Sequence, residues 1–229
     1  MTTTAAMKHA QPDSETSAKP HVAKSPDLKR TLAPLFNPPR DPVLVDIPEL
    51  GYLSIDGKGA PDEGADYPTT DFQKAFAALF PVVYTIKFRL KRDGLVMPVL
   101  PLEALWLTGE DGSFDMSVPP EGWGWKALIA VSDDVTPQVF DDALAEVRRK
   151  KGNSDALEAL RFERWREGRC AQVMHIGPYS EEGPTIERLH AFIAARGCKP
   201  SGAHHEIYLG DPRRADPAKL KTVLRQPVE

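Results

Sequence analysis

Cysteine is scarce. Cys170 and Cys198 are the only thiols in 229 residues, too few and too widely spaced for a zinc knuckle or a redox CxxC pair, so they read as buried free thiols. Long hydrophobic runs are missing as well. Nothing approaches the ~18 consecutive apolar residues of a membrane span, and the start, MTTTAAMKHAQPDSE, lacks the apolar centre of a secretory signal. A cytoplasmic location away from membranes is the default expectation. Nor is there an excess of positive charge: the formal net charge is −4, with +3 on the first forty residues and −7 on the remainder. An acidic body argues against direct DNA binding, because neutralised phosphates supply most non-specific affinity. Signature motifs are absent too. Gly57-Lys58-Gly59 lacks the other glycine and the Ser/Thr of a phosphate loop, so it reads as a turn. There is no Ser-His-Asp order and no nucleophile elbow. The neighbours His204 and His205 point to opposite faces of a strand and no third ligand sits at suitable spacing, so no metal and no cofactor is expected.

What is present suits one soluble domain of ordinary size: 41% hydrophobic and 27% charged residues, on a chain long enough to bury a proper core. Residues 1–27 are rich in Thr, Ala, Ser, Pro and Lys and nearly devoid of large apolar side chains, which predicts a disordered tail ahead of a domain over 28–229. DLKRTLAPLFNPPRDP follows, a small apolar cluster (Leu28, Leu32, Leu35, Phe36) broken by prolines, expected as a helical turn or extended arm packed on the domain. A strand is expected over 43–57 and an irregular loop to Thr70. The helix over 71–91 has Asp71 as its cap and a buried stripe of Phe72, Phe76, Leu79, Val83, Ile86 and Leu90. Pro81 predicts a kink near Ala77 to Pro81, and Tyr84 falls with Phe80 and Phe88 on a neighbouring stripe. Strands over 97–108 and 125–132 are joined by a long Gly- and Asp-rich link of the kind that borders sites. Helices are expected over 136–151 and 154–165, a strand over 169–177 and a helix over 184–196 between Pro184 and Gly197. The chain then gives a strand over 204–209, a short helical segment from Pro217 and a strand over 222–228.

Strand, helix, strand, strand therefore occurs twice, over about 43–132 and 169–228. The expectation is an α+β domain with pseudo-two-fold symmetry, an antiparallel sheet, helices on its outside and a cleft at the centre, where ligands commonly bind. Glu103 of PLEALW and Glu206 of HHEIYL hold matching places in the two copies. Alternation puts His204, Glu206 and Tyr208 on one face, so Glu206 is the candidate for the cleft. Its rival role is a structural salt bridge to Arg213 or Arg214. Alternation also sets Trp106 opposite to Glu103 unless a bulge intervenes. Trp125 and Tyr179 fit either the cleft or its rim, and Tyr84 fits either the site or ordinary helix packing.

DLKRTLAPLF, VLVDIPELGYLSIDGKG, YTIKF, PLEALW, VMHIGPYSEE and HHEIYLGDPRRADPAKLKTVLRQPV occur in this order over Asp27–Val228. Together they resemble the GyrI-like small-molecule-binding domain family, whose fold is a duplicated strand–helix–strand–strand (SHS2) unit. Related domains form the drug-sensing half of multidrug-responsive regulators, in which a buried glutamate among tyrosines accepts lipophilic cations. Glu206 matches that glutamate. No helix-turn-helix module precedes the domain, so the resemblance is to the free-standing branch, some of whose members hydrolyse cyclopropane-bearing DNA-alkylating natural products. Two departures bear on the cleft: VSDD at 131–134 stands where a Gln-Pro-Asp turn is usual, and Pro81 interrupts the first helix.

The resemblance implies a small-molecule ligand met by Glu206; the residues themselves suit an amphipathic aromatic molecule as partner, with Glu206 and Tyr84 as catalytic candidates and Glu103, Trp106, Trp125, Tyr179 and Tyr208 as ligand contacts. Opening a spirocyclopropane fused to a dienone needs a placed water and relief of the negative charge forming on the dienone oxygen. Glu206 can take the water's proton, its basicity raised by a desolvating aromatic box, and Tyr84 or Tyr208 can donate to the oxygen. Two readings stand side by side: a hydrolase of such electrophiles, and a non-catalytic module that senses or sequesters lipophilic drug-like molecules. A protein-binding inhibitor is a third, weaker one.

Overall fold

In the computed structural model the described residues are 1, 32–59, 70–115 and 117–229, so all but the first residue of the tail expected over 1–27, and most of the loop before Thr70, lie outside them. From the N-terminal side the elements are α1 (Ala33–Phe36), β1 (Val43–Lys58), α2 (Asp71–Arg92), β2 (Leu102–Leu107), β3 (Gly124–Val131), α3 (Pro137–Lys151), α4 (Asp155–Ala159), β4 (Arg161–Ile176), α5 (Gly183–Ala195), β5 (His204–Tyr208) and β6 (Lys221–Pro227). Single 3-10 turns occupy Pro120–Gly122, Tyr179–Glu181 and Pro217–Lys219.

The six strands are antiparallel to their neighbours and close into a barrel in the order β1-β3-β2-β5-β6-β4. Closure comes from the two longest strands. β1 and β4 pair from Val43 opposite Gln172 to Ser54 opposite Arg161. Gly57 is fixed by the ring across from it: a Cβ there would lie 2.1 Å from Trp125, its partner in the ladder.

Three expectations change. The helix read over 154–165 stops at Ala159; Leu160 is already extended (ψ 131°) and Arg161–Trp165 opens β4. Phe162 and Trp165, three apart, mimic one helical face, but they serve opposite faces of the barrel wall, Phe162 under the helices and Trp165 stacked on Tyr52 within. The cap of α2 is Thr70, whose hydroxyl accepts from the Gln73 amide at 3.3 Å, with Asp71 as first helical residue. The strand read over 97–108 begins only at Leu102. α2 itself is unbroken through Pro81.

Both faces of the sheet are apolar, for different reasons. Outside, α2 and α3 cover Leu53, Ile55, Ala127 and Ile129 with Leu79, Val83, Ile86 and Phe140, and α5 covers Val173 and Leu224 with Ile186, Leu189 and Ile193. Inside, Ile47, Tyr52, Leu128 and Cys170 meet Leu32 and Leu35 of the N-terminal arm. That arm is tied by its backbone: Arg225 Nη2 donates to the Leu35 carbonyl at 2.8 Å and Gln172 Nε2 to the Pro34 carbonyl at 3.0 Å. Cys170 is buried and Cys198 only partly so. Among the described residues no helix is long and apolar enough to cross a membrane.

Candidate functional site

β2 and β5 meet along a seam where Trp106 pairs with His204, Ala104 with Glu206 and Leu102 with Tyr208. Antiparallel partners share a face, so these side chains all stand on the outer surface. Ala104 is small and leaves space beside Glu206. Neither α2 nor α5 fills the space over this seam, and a cavity of about 1340 Å³ remains. Its aromatic lining includes Phe72 and Phe76 of α2, Trp106 of β2, Phe114, Tyr179 and Tyr208. The rings lock one another edge-on: Tyr179 against Tyr208 at 5.5 Å and 70°, and Trp106 against Trp123 at 5.6 Å and 64°.

Glu206 lines the cavity from β5, as Glu182 and Asp211 do from neighbouring segments. Its side chain is 15% exposed, and Tyr208 Oη donates to its Oε2 at 2.8 Å. Burial first, and then the Glu206 charge, push the Tyr208 phenol well above its ordinary value, so it stays a donor. His204 Nε2 lies 3.7 Å from Glu206 Oε1. Its ring stacks on Phe114 at 5.5 Å and 24°, and burial pushes it down to about 3, which keeps it neutral. The lining thus carries the carboxylates of Glu182, Glu206 and Asp211 and the phenols of Tyr179 and Tyr208 among aromatic rings, with the neutral His204 imidazole beside Glu206.

Four of the residues singled out from sequence therefore converge: Glu206, Tyr208, Tyr179 and Trp106 all line the cavity. Trp125 does not line it, being buried behind Phe72 at 5.1 Å and 69°. Tyr84 does not either; it is 45% exposed on the outer side of α2 between Phe80 and Phe88. Arg213 clasps Asp211 with two bonds of 2.9 Å. Phe72 and Phe76 carried a sequence signal, the helical stripe, but one that reads as core. Phe114 and Trp123, in the Gly-rich link, carried only the general signal of a long loop.

Glu103 belongs to a different assembly. Alternation turns it away from Trp106 into the barrel, where its Oε2 meets His205 Nε2 at 3.0 Å. The other ring nitrogen, Nδ1, meets Glu167 Oε1 at 2.8 Å, and Arg225 Nη1 donates to Glu167 Oε2 at 3.0 Å. All four side chains are at most 3% exposed. Burial alone would raise the Glu167 carboxyl, but His205 and Arg225 outweigh it and hold it down at about 2. Burial likewise works against His205⁺ and is outweighed by Glu167 and Glu103, so that imidazole is raised. The Glu167 carboxylate therefore faces His205 on one side and the Arg225 guanidinium on the other, and these partners are what let its charge stay buried. No sequence pattern joins these four positions, since they come from four different strands or strand ends.

Residues 40–229 match the family of the GyrI-like small molecule binding domain. Among solved structures, an uncharacterised conserved protein from Listeria innocua is 37% identical, with a TM-score of 0.77, over 88% of this chain and 98% of that one. Two hydrolases from Listeria innocua are 36% and 33% identical, with TM-scores of 0.74 and 0.73 and the same coverage. Curated proteins offer no match.

Proposed function

Since the chain belongs to the family of the GyrI-like small molecule binding domain, we propose that its cavity takes up flat, amphipathic aromatic electrophiles of the cyclopropanoid type and hydrolyses them. The observation that carries this reading is Glu206 set in an aromatic wall with its Oε2 held by Tyr208. The likeness to two hydrolases supports turnover.

The aromatic rings of the lining favour a planar guest, each good ring contact adding about 0.5–1.5 kcal/mol beyond area burial. Glu206 Oε1 then receives a proton from a water whose oxygen attacks the strained cyclopropane carbon. The carbon–carbon bond breaks, its electron pair runs into the dienone, and the ring becomes a phenolate. Tyr208 has a single phenolic hydrogen, bonded to Glu206 in the resting site. Protonation weakens that acceptor, and the hydrogen turns to the forming oxyanion, the role the sequence offered to Tyr84 as well. The proton on Glu206 finally passes to the phenolate, so the net reaction is addition of one water.

A duplicated SHS2 unit explains why the site lies where it does. Each half orders its strands alike, with its third strand central (β1-β3-β2 and β4-β6-β5), and the two second strands meet at the cavity floor.

The test is turnover of a spirocyclopropyl dienone, followed by mass of the ring-opened product. Many equivalents per protein are expected, with a loss of about 100-fold or more in Glu206→Gln. Undiminished turnover in that variant would remove the carboxylate as base. Binding without turnover would favour the second reading, sequestration of lipophilic cations, for which carboxylates beside ring faces are also suited.

A further inference from the structure

The aromatic stripe of α2 does not stop where the cavity does. Residues four apart on a helix rise about 6 Å and rotate about 40° per step, so Phe72, Phe76, Phe80, Tyr84 and Phe88 form a slow spiral around α2. Their burial follows that rotation. Phe72 is 5% exposed, Phe76 and Phe80 are half-buried and line the cavity, and Tyr84 and Phe88 reach 45% and 54%. The last three rings are evenly spaced, with centroids 6.5 and 6.4 Å apart and planes within 35° and 27° of one another. Exposed aromatics are costly to leave in water, and three in register ask for an occupant.

We infer that Phe80, Tyr84 and Phe88 are an outer binding subsite, continuous with the cavity, for the distal rings of an elongated, planar, uncharged multi-ring molecule whose first rings occupy the cavity. This rests on the reading of the cavity as a ligand site. Continuity is the main argument, because Phe80 belongs to both surfaces. Charge argues against two other occupants. Lys87 Nζ sits 5.9 Å over the Tyr84 ring, Lys91 and Arg92 follow on the same end of the helix, and no ion pair to these three is found among the described residues. A cationic tail is repelled there, and a second copy would set one basic helix end against another. Three partly exposed rings also fall far short of the roughly 1,200 Å² that a stable dimer buries.

The experiment compares two rigid fluorescent rods, trans-stilbene with two rings and 4,4′-distyrylbiphenyl with four, on the full chain and on Tyr84→Ala/Phe88→Ala. The variant touches only exposed rings, and retained stilbene binding verifies its fold. Expected is a loss of about tenfold in affinity for the four-ring rod with stilbene unchanged within about twofold, and recovery in Tyr84→Phe, which keeps the ring. Equal affinity of the double variant and the wild type for the four-ring rod overturns the outer subsite while leaving the cavity reading intact. Failure of stilbene to bind the wild type overturns the cavity reading and the extension with it. A dimer in sedimentation that the double variant abolishes would make the stripe a self-association surface, and would also overturn the inference.

Discussion

Replacing Glu167 by Gln keeps its shape and removes one charge from the sealed interior of the barrel. In the wild type the carboxyl stands at about 2 against an ordinary 4.5, a difference that represents about 3 kcal/mol of folded-state stability at neutral pH. The variant loses that and leaves the Arg225 guanidinium, 2% exposed, with only neutral acceptors. Breaking a buried pair from one side costs about 3–5 kcal/mol, and that is the expected loss by urea denaturation at pH 6. The pH dependence separates this from a packing defect. A depressed carboxyl stabilises the fold fully above its unfolded value near 4.5 and loses that contribution as pH falls toward 2. The gap between wild type and variant must therefore narrow from pH 5 to pH 2. On the alkaline side the raised His205 stabilises fully below its unfolded value near 6.5 and loses this as pH climbs through its folded value. Since Glu167 is the strongest group raising it, that alkaline decline is shallower in the variant. A loss under about 1 kcal/mol that is flat from pH 2 to 8 would show that Glu167 is not the ionised partner of His205 and Arg225.

Two further outcomes follow from the geometry. Gly57→Ala forces a methyl against the Trp125 ring and should cost about 1–3 kcal/mol by thermal denaturation; an unchanged midpoint would mean that the ring is free to move aside. His204, held at about 3, should show no imidazole titration by NMR between pH 5 and 8. Because the unfolded chain takes up that proton below about 6.5 and the folded one does not, His204 makes stability fall on acidification from pH 6.5 toward 3, and a titration midpoint above 6 would contradict its burial.

Alternation along five residues was enough to place Glu206 and Tyr208 together, because β5 is regularly paired on both sides and its two faces differ in what they meet. The same rule separated Glu103 from Trp106. It failed at Arg161–Trp165, where both sides of the wall are apolar and the exposed positions carry charges matched across strands: Arg164 with Glu49 at 3.0 Å, Arg166 with Asp46 at 2.9 Å, Glu163 with Lys126 at 2.7 Å. A strand of that composition has no period of two to read. Tyr84 was named for its phenol, a candidate donor to a ligand oxygen, while its stripe left it at the edge of the buried face; the 40° drift per step along α2 carries it outside the cavity. Barrel closure was invisible as well, since it depends on β1 and β4 pairing across more than a hundred residues of sequence.

Among the described residues each of the six strands has a hydrogen-bonded neighbour on both sides. An open sheet of this kind would present two rows of unpaired amides and carbonyls, a template on which further chains can stack into fibres. A molecule that keeps a greasy hollow and bare rings on its surface is already prone to stick, so sealing its backbone against strand addition confines that stickiness to side chains, where association stays reversible and a captured guest can leave again.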